Sequence, residues 1–499
     1  MSRLSRRTFL KGALAGGALA GASGLLPMTA GATGLVPATL GNGQTYKILE
    51  VFLDGGADFW AHAYDVPSWV GRATRFQPGL LTIPLTSPLD DWHPLFTGAN
   101  PAWVPSLPSD RWYFGAAANG EQVYWGPALK PLWPHAGRAR LIAVGHGFSV
   151  HDLATYLALT GTSLGRPIAA SLGAALNRSR APGEAPVSFV VPVAQGGFTS
   201  NTTLPAATAT GFHGADNQPV LVTCGNTSIQ ARLDRSTPAA GSTVARASGD
   251  PLRNHYDTRY RAMLFNGGSR SRSRAYDAYE GSLATLEQHA GLRQRLQGVS
   301  FALPSTANAA DNATSTAIRA AAGLLGNGAR HVTVVDNGWD THDDSAYSTV
   351  EGYAAYVTRK TFQLAHALAE VIAAGTLDLT STLVFVHSEF GRRQSWVSGG
   401  NGGDHNPSGY PVLLLGGPIT HPGIAGSITG PTSPGGAPYF DGNHGVAAVR
   451  GAVALAAGID PWQPDMYAES TEWLGGALQS FNTPADGNAA VLEQAILGL

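Results

Sequence analysis

The chain has 499 residues, 43% of them hydrophobic and 13% charged, with a formal net charge of −2. This hydrophobic share supports a packed core and excludes bulk disorder, while the lack of any long basic run excludes nucleic acid as an expected partner. The single cysteine, Cys224, cannot close an internal disulfide, so stability rests on packing and on any bound metal.

Residues 1–32 read as a twin-arginine signal peptide. Ser5-Arg6-Arg7-Thr8-Phe9-Leu10-Lys11 supplies the paired arginines that the folded-protein translocon recognises. A weakly hydrophobic stretch rich in Gly and Ala follows over 13–26, and Ala30-Gly31-Ala32 offers the small residues of a cleavage site after Ala32. The apolar run is broken by glycines and is too short to serve comfortably as a membrane anchor. Cleavage removes four basic residues and no acidic one, taking the formal charge to −6. The expected location is the periplasm or beyond, with the twin-arginine translocon as a partner during export. No other stretch approaches ~18 uninterrupted apolar residues, so no stable membrane span is expected.

Residues 33–45 form a Gly/Thr/Pro linker, and 46–499 read as a single domain with a less regular insertion around 186–300. The first strand, 47–53, is apolar and stops sharply at Asp54-Gly55-Gly56. The aromatic, Pro-rich region 60–133 reads mostly as loops, with a sugar-stacking surface as the alternative use of its rings. A strand at 140–145 leads through His146 to His151 into a helix at 152–159, stopped by Thr160-Gly161. Within the insertion, short strands are predicted at 187–191 and 220–223, with a polar, Arg-rich helical stretch at 277–297. Then come a helix at 315–325, a strand at 331–335, a long helix near 350–373 and a strand at 382–386. A strand at 411–415 and a helix at 445–457 close the pattern. Apolar strands alternating with helices predict an α/β fold, with a mainly parallel central sheet covered on both faces.

Ligands of such sheets sit at the carboxyl ends of the strands, and the polar clusters fall there. Asp54 follows the first strand, His146 to His151 the second, Asp336 to His342 the third, and His387 to Arg392 the fourth. Asp340 and His342, two residues apart in a loop, can be aimed at one cation, with Asp343 and Asp344 adding negative charge nearby. Asp404 and His405 repeat the pairing in a glycine-rich loop that lets backbone approach a ligand closely. Glu389 adds another acid, with Arg392 and Arg393 beside it as anion binders. This oxygen and nitrogen donor set suits a divalent metal: Zn, Mn, Fe or Ca. Each cluster also has a plainer reading. Asp340-Thr341-His342 serves equally as a helix cap, Asp404-His405 and Asp54-Gly55-Gly56 as tight turns, and His146 and His151 as packed or loop histidines.

Several of these motifs carry a family resemblance. They are the twin-arginine signal, Gly55 to Asp58 after the first strand, His151-Asp152 with Thr160-Gly161 at the helix end, Gly338-Trp339-Asp340-Thr341-His342, Ser388-Glu389-Phe390-Gly391-Arg392, and Gly402 to His405. Together they resemble the bacterial family of domain of unknown function 1501, placed in the alkaline phosphatase and sulfatase superfamily. The resemblance covers most of residues 47–460 and implies an alkaline-phosphatase-like α/β/α sandwich with a metal centre at the strand ends. It also implies a nucleophile nine residues before the Thr of the Thr-Gly pair, which is His151. A histidine there serves as ligand, phosphoryl acceptor or base but not as an alkoxide, and Ser149 is the nearby hydroxyl. Glu389 takes the position of a superfamily metal aspartate, and Asp54 or Asp58 that of the first-strand acid.

The expected function is therefore an exported metal-dependent hydrolase of phosphate or sulfate esters, acting on a small anionic ester or a polysaccharide. His151, Ser149 and Arg392 would be its catalytic residues, and Asp54, Asp340, His342, Glu389, Asp404 and His405 its metal set. The alternative is a non-catalytic exported scaffold or surface-binding protein, stabilised by metal, that kept the fold without the nucleophile.

Overall fold

The structure is a computed structural model. It describes residues 38–56, 64–65, 112–120, 122–125, 127–161, 171–178, 188–192, 220–224, 229–231, 258, 299, 313–341, 350–396, 403–407, 409–429, 439–441, 445–462, 471–474, 477–480 and 492–499. The expected signal peptide, Asp58, His342 to Asp344, Gly402 and the Arg-rich stretch expected at 277–297 lie outside these residues.

In chain order the strands that concern the site are β1 (Lys47–Leu53), β2 (Tyr64–Asp65), β3 (Trp112–Ala116), β4 (Gln122–Trp125), β5 (Ala139–Val144), β6 (Ser188–Pro192), β7 (Val220–Cys224), β8 (Ile229–Ala231), β9 (His331–Asp336), β10 (Thr382–Ser388), β11 (Gly391–Trp396), β12 (Gly403–Asn406), β13 (Tyr410–Gly416) and β14 (Gly423–Ala425). The helices are α1 (His151–Thr160), α2 (Leu172–Arg178), α3 (Ala313–Gly326), α4 (Val350–Ala373) and α5 (Val446–Ala456). Nine strands make the central sheet, in the order β14-β5-β13-β10-β1-β9-β6-β7-β8. The pairs β10–β1, β1–β9, β9–β6, β6–β7 and β14–β5 are parallel; β5–β13, β13–β10 and β7–β8 are antiparallel. The α/β fold with a mainly parallel sheet is as the alternation of elements predicted.

Helices cover both faces because the strands are apolar on both. Leu49, Val51 and Leu53 of β1 face one core with residues of α3, α4 and the 3₁₀ segment Pro127–Arg138. Ile48, on the alternate side, faces a second core with residues of α1, α2 and α5. The alternation of strand side chains sends neighbours to opposite layers.

Two departures matter for the site. The strand predicted at 411–415 runs antiparallel, because the chain leaves β10 through the β11–β12 hairpin and re-enters the sheet from the same edge. This return brings His405 of β12 close to His151 and Asp340. Secondly, the aromatic region read mostly as loops contributes β2, β3 and β4, a small antiparallel sheet of its own.

A buried polar layer crosses the second core, where an apolar strand was predicted. The carboxylate of Glu50 (β1) accepts hydrogen bonds from His387 Nε2 (2.8 Å), His331 Nε2 (2.9 Å) and Thr333 Oγ1 (3.2 Å), and pairs with the Arg450 guanidinium from α5. Ser188 Oγ donates to His331 Nδ1 at 2.8 Å, so the imidazole offers Nε2–H to Glu50. Burial alone would raise the Glu50 carboxyl; Arg450 and the two imidazoles hold it well below the usual carboxylate range.

Candidate metal centre

The turn after β1 needs two glycines. Gly55 has φ +119°, and a Cβ there would lie 2.1 Å from the Asp340 backbone nitrogen; Gly56 has φ +77°, and its Cβ would lie 2.3 Å from the Phe390 ring. Side-chain-free backbone lets the segments after β1, β9 and β10 close on one another.

Asp340 is carried by a firmly anchored loop. The buried Asp336 carboxylate accepts from Thr314 Oγ1 (2.9 Å) and Trp339 Nε1 (3.0 Å) and lies 3.4 Å from Lys360 Nζ. Lys360 also donates to the Asn337 carbonyl (2.6 Å) and sits 5.0 Å over the Trp339 ring. Asp54 ties this loop to β1 through its backbone: its N–H donates to Asp336 O (2.8 Å) and its carbonyl accepts from Trp339 N–H (3.1 Å). The loop then presents Asp340, whose Oδ1 accepts from Arg392 Nη2 at 2.7 Å.

His151 opens α1. Its Nδ1 lies 3.0 Å from Glu389 Oε1, and its Nε2 lies 3.5 Å from Asp340 Oδ2. The 3.0 Å contact to Glu389 is the hydrogen bond of the two, so in the neutral ring Nδ1–H donates to it and the Nε2 lone pair lies on the Asp340 side. His405 follows the same logic: its Nδ1–H donates to the Ser149 carbonyl at 2.7 Å, assigning the lone pair to Nε2. The His405 and His151 ring centroids are 4.6 Å apart. His405 reaches this point because it pairs with Arg392 across the β11–β12 hairpin. Ligand-capable atoms of His151, Asp340 and His405 all lie within 4.8 Å of one another.

Such a group can hold a metal ion. Two imidazoles and a carboxylate form a donor set suited to Zn, Mn or Fe, whereas Ca takes oxygen ligands alone. Each imidazole gives its other N–H to a carboxylate or a backbone carbonyl, the outer arrangement that metal-binding histidines use.

The expected residues divide accordingly. Asp340 and His405 join the centre, and His151 joins it as a third member. Glu389, expected as a ligand, stands behind His151: it is fully buried, and its Oε1 also accepts from Gly55 N–H at 2.8 Å. Arg392, expected to hold a substrate anion, is fully buried too. Its described contacts are inward, to Asp340 and to the carbonyls of Gly56 (2.7 Å) and Gly55, so it fixes Asp340 and the glycine turn. Asp54 is buried outside the three-residue group, and its backbone makes the two bonds to the Asp336–Trp339 loop given above. Asp404 is exposed and accepts from the N–H of His405 at 2.8 Å; both residues lie in β12, so the tight turn of the alternative reading is not found there. Ser149 is exposed and contributes its carbonyl. His342 lies outside the described residues.

His146 has a part that sequence reasoning left open. Its Nε2 donates to the Glu389 carbonyl (2.5 Å) and its Nδ1 accepts from Phe148 N–H (3.0 Å), pinning the β10 end to the loop before α1. Burial pushes its pKa down to about 4, so it is neutral near pH 7. The unfolded ring titrates at about 6.5, so this contribution to stability is present above that pH and fades as pH falls from about 6.5 towards 4.

The profile of a family described as "Protein of unknown function (DUF1501)" matches residues 138–461. No curated protein matches the sequence. Among solved structures, Ps i-CgsB in complex with k-i-k-neocarrahexaose aligns with a TM-score of 0.35 and 9% identity over 86% of this chain and 79% of that one. Alkaline phosphatase from the Antarctic bacterium TAB5 aligns with a TM-score of 0.28 and 12% identity over 76% of this chain and 95% of that one.

Proposed function

The matched stretch covers more than half of its length, so the chain belongs to the DUF1501 family, and we propose that this member is an exported metal-dependent hydrolase of phosphate or sulfate esters. The observation that carries the reading is the meeting of His151, Asp340 and His405, from three separate chain segments, at the carboxyl edge of the sheet. A divalent ion held there by His151 Nε2, His405 Nε2 and Asp340 Oδ2 would supply Lewis-acid polarisation of an ester oxygen. The chain's own part is to hold those three atoms and to receive the anion. Helix α1 begins at His151, and its N-cap residue Val150 makes no side-chain cap hydrogen bond, so the helix start favours a negative group beside the centre.

The second reading, a metal-stabilised scaffold without catalysis, is favoured by one fact: position 151 bears no hydroxyl or thiol. The two readings separate on the mature chain assayed with an aryl phosphate and an aryl sulfate. The expected result is hydrolysis of at least one, lost on chelation and restored by a single type of divalent ion. A chain that binds metal but cleaves neither supports the scaffold.

Export belongs to the same proposal. Replacing both Arg6 and Arg7 with Lys is expected to leave the precursor in the cytoplasm, as shown by fractionation and by retention of residues 1–32. Normal export of that variant would remove the twin-arginine assignment. In the described part of the chain, no helix is long and apolar enough to cross a membrane.

A further inference from the structure

We infer that Glu389 is a positioning residue of the metal centre, acting through His151 and not as a ligand; the inference rests on the metal-centre reading above. One carboxylate oxygen already carries two donors. Oε1 accepts from His151 Nδ1–H (3.0 Å) and Gly55 N–H (2.8 Å), and Oε2 lies 3.1 Å from Ser388 Oγ. The backbone is held as well, since the Glu389 carbonyl accepts from His146 Nε2. The two nitrogens of an imidazole face opposite ways, so a carboxylate on Nδ1 lies across the ring from whatever Nε2 binds. Glu389 therefore fixes the ring's tautomer and direction, and its negative charge makes Nε2 a stronger donor. Arg392 serves Asp340 in a parallel way, and the Ser149 carbonyl serves His405. Each member of the centre is thus aimed by a partner outside it, which preorganises the site before any ion arrives.

The test is a Co²⁺ titration of the full mature chain, followed by both affinity and visible absorption. E389Q keeps the shape but loses the charge, and is expected to weaken Co²⁺ binding by about 10–100-fold while leaving the absorption bands where they were, because the ligands are the same. In an H151A background the same substitution is expected to add no further loss, since its route of action is gone. Band positions reporting one ligand fewer in E389Q would make Glu389 a ligand and overturn the inference. An unchanged affinity would overturn it as well, leaving a purely structural carboxylate. Where E389Q does not fold, E389D takes its place; its carboxylate falls a methylene short of His151, and weaker binding with unshifted bands is again expected. Failure of the unmodified chain to bind Co²⁺ removes the metal centre and this inference together, whereas Co²⁺ binding with unchanged E389Q affinity removes only the inference.

Discussion

Replacing His151 with alanine is expected to reduce ester hydrolysis by about a thousandfold or more. The loss of a ligand from the centre removes several kcal/mol of transition-state stabilisation, and each ~1.4 kcal/mol is tenfold in rate. The stability effect should be smaller, about 1–3 kcal/mol, because the substitution deletes a hydrogen bond to the buried Glu389 carboxylate and not a packed core side chain. Glu389 retains its bond from Gly55 N–H in that variant. The experiment is a kcat/KM measurement on each ester, with circular dichroism and thermal melting to establish that the variant is folded. Full activity in folded H151A would show that the reaction does not pass through this centre.

The largest effect on stability is expected far from the chemistry, at Arg450. This side chain is completely buried in α5, donates to the Ala158 carbonyl, and pairs with Glu50. Arg450→Met keeps most of the volume but strands the Glu50 carboxylate, with only imidazole and hydroxyl donors left around it. Breaking a buried pair by removing one partner costs about 3–5 kcal/mol. Denaturant unfolding monitored by tryptophan fluorescence measures it. A cost below about 1 kcal/mol would mean that His331 and His387 alone satisfy Glu50, and that the guanidinium is dispensable.

The frame of the molecule is legible in the sequence where apolar runs are bounded by glycine. The 47–53 strand and the 350–373 helix have the expected limits, and β5, β9, β10 and β13 differ from expectation by one or two residues at an end. Strand direction was not legible for β13, since an apolar run carries no polarity; only the hairpin before it decides which way the chain returns. The buried layer escaped for another reason. Glu50, His331 and His387 are single polar residues in apolar strands, and Arg450 is a lone charge in an apolar helix. Each looks like an exception until pairing brings them together. The signal was present, because a charge on a strand buried on both faces has to find a partner.

For the site, two of the residues taken from the strand ends, His151 and Asp340, meet His405, which was taken from the glycine-rich loop. Composition does not tell which of these side chains face one another. Glu389 and Arg392 have the chemistry of site residues, yet their hydrogen bonds run to His151, Asp340 and the glycine turn. Asp404 sits next to His405 in sequence, but its carboxylate accepts from its neighbour's own N–H. Such divisions depend on which side of a ring or carboxylate faces the centre, and residue spacing does not encode that.

The central claim is that one metal ion binds where His151, Asp340 and His405 converge. Elemental analysis of the mature chain purified after export, without added metal, tests it most directly. The account predicts about one divalent ion per chain, Zn, Mn or Fe by donor set, and predicts that H151A purified in the same way carries little or none. A folded mature chain that contains no metal, with a melting temperature unmoved by chelator, would contradict it.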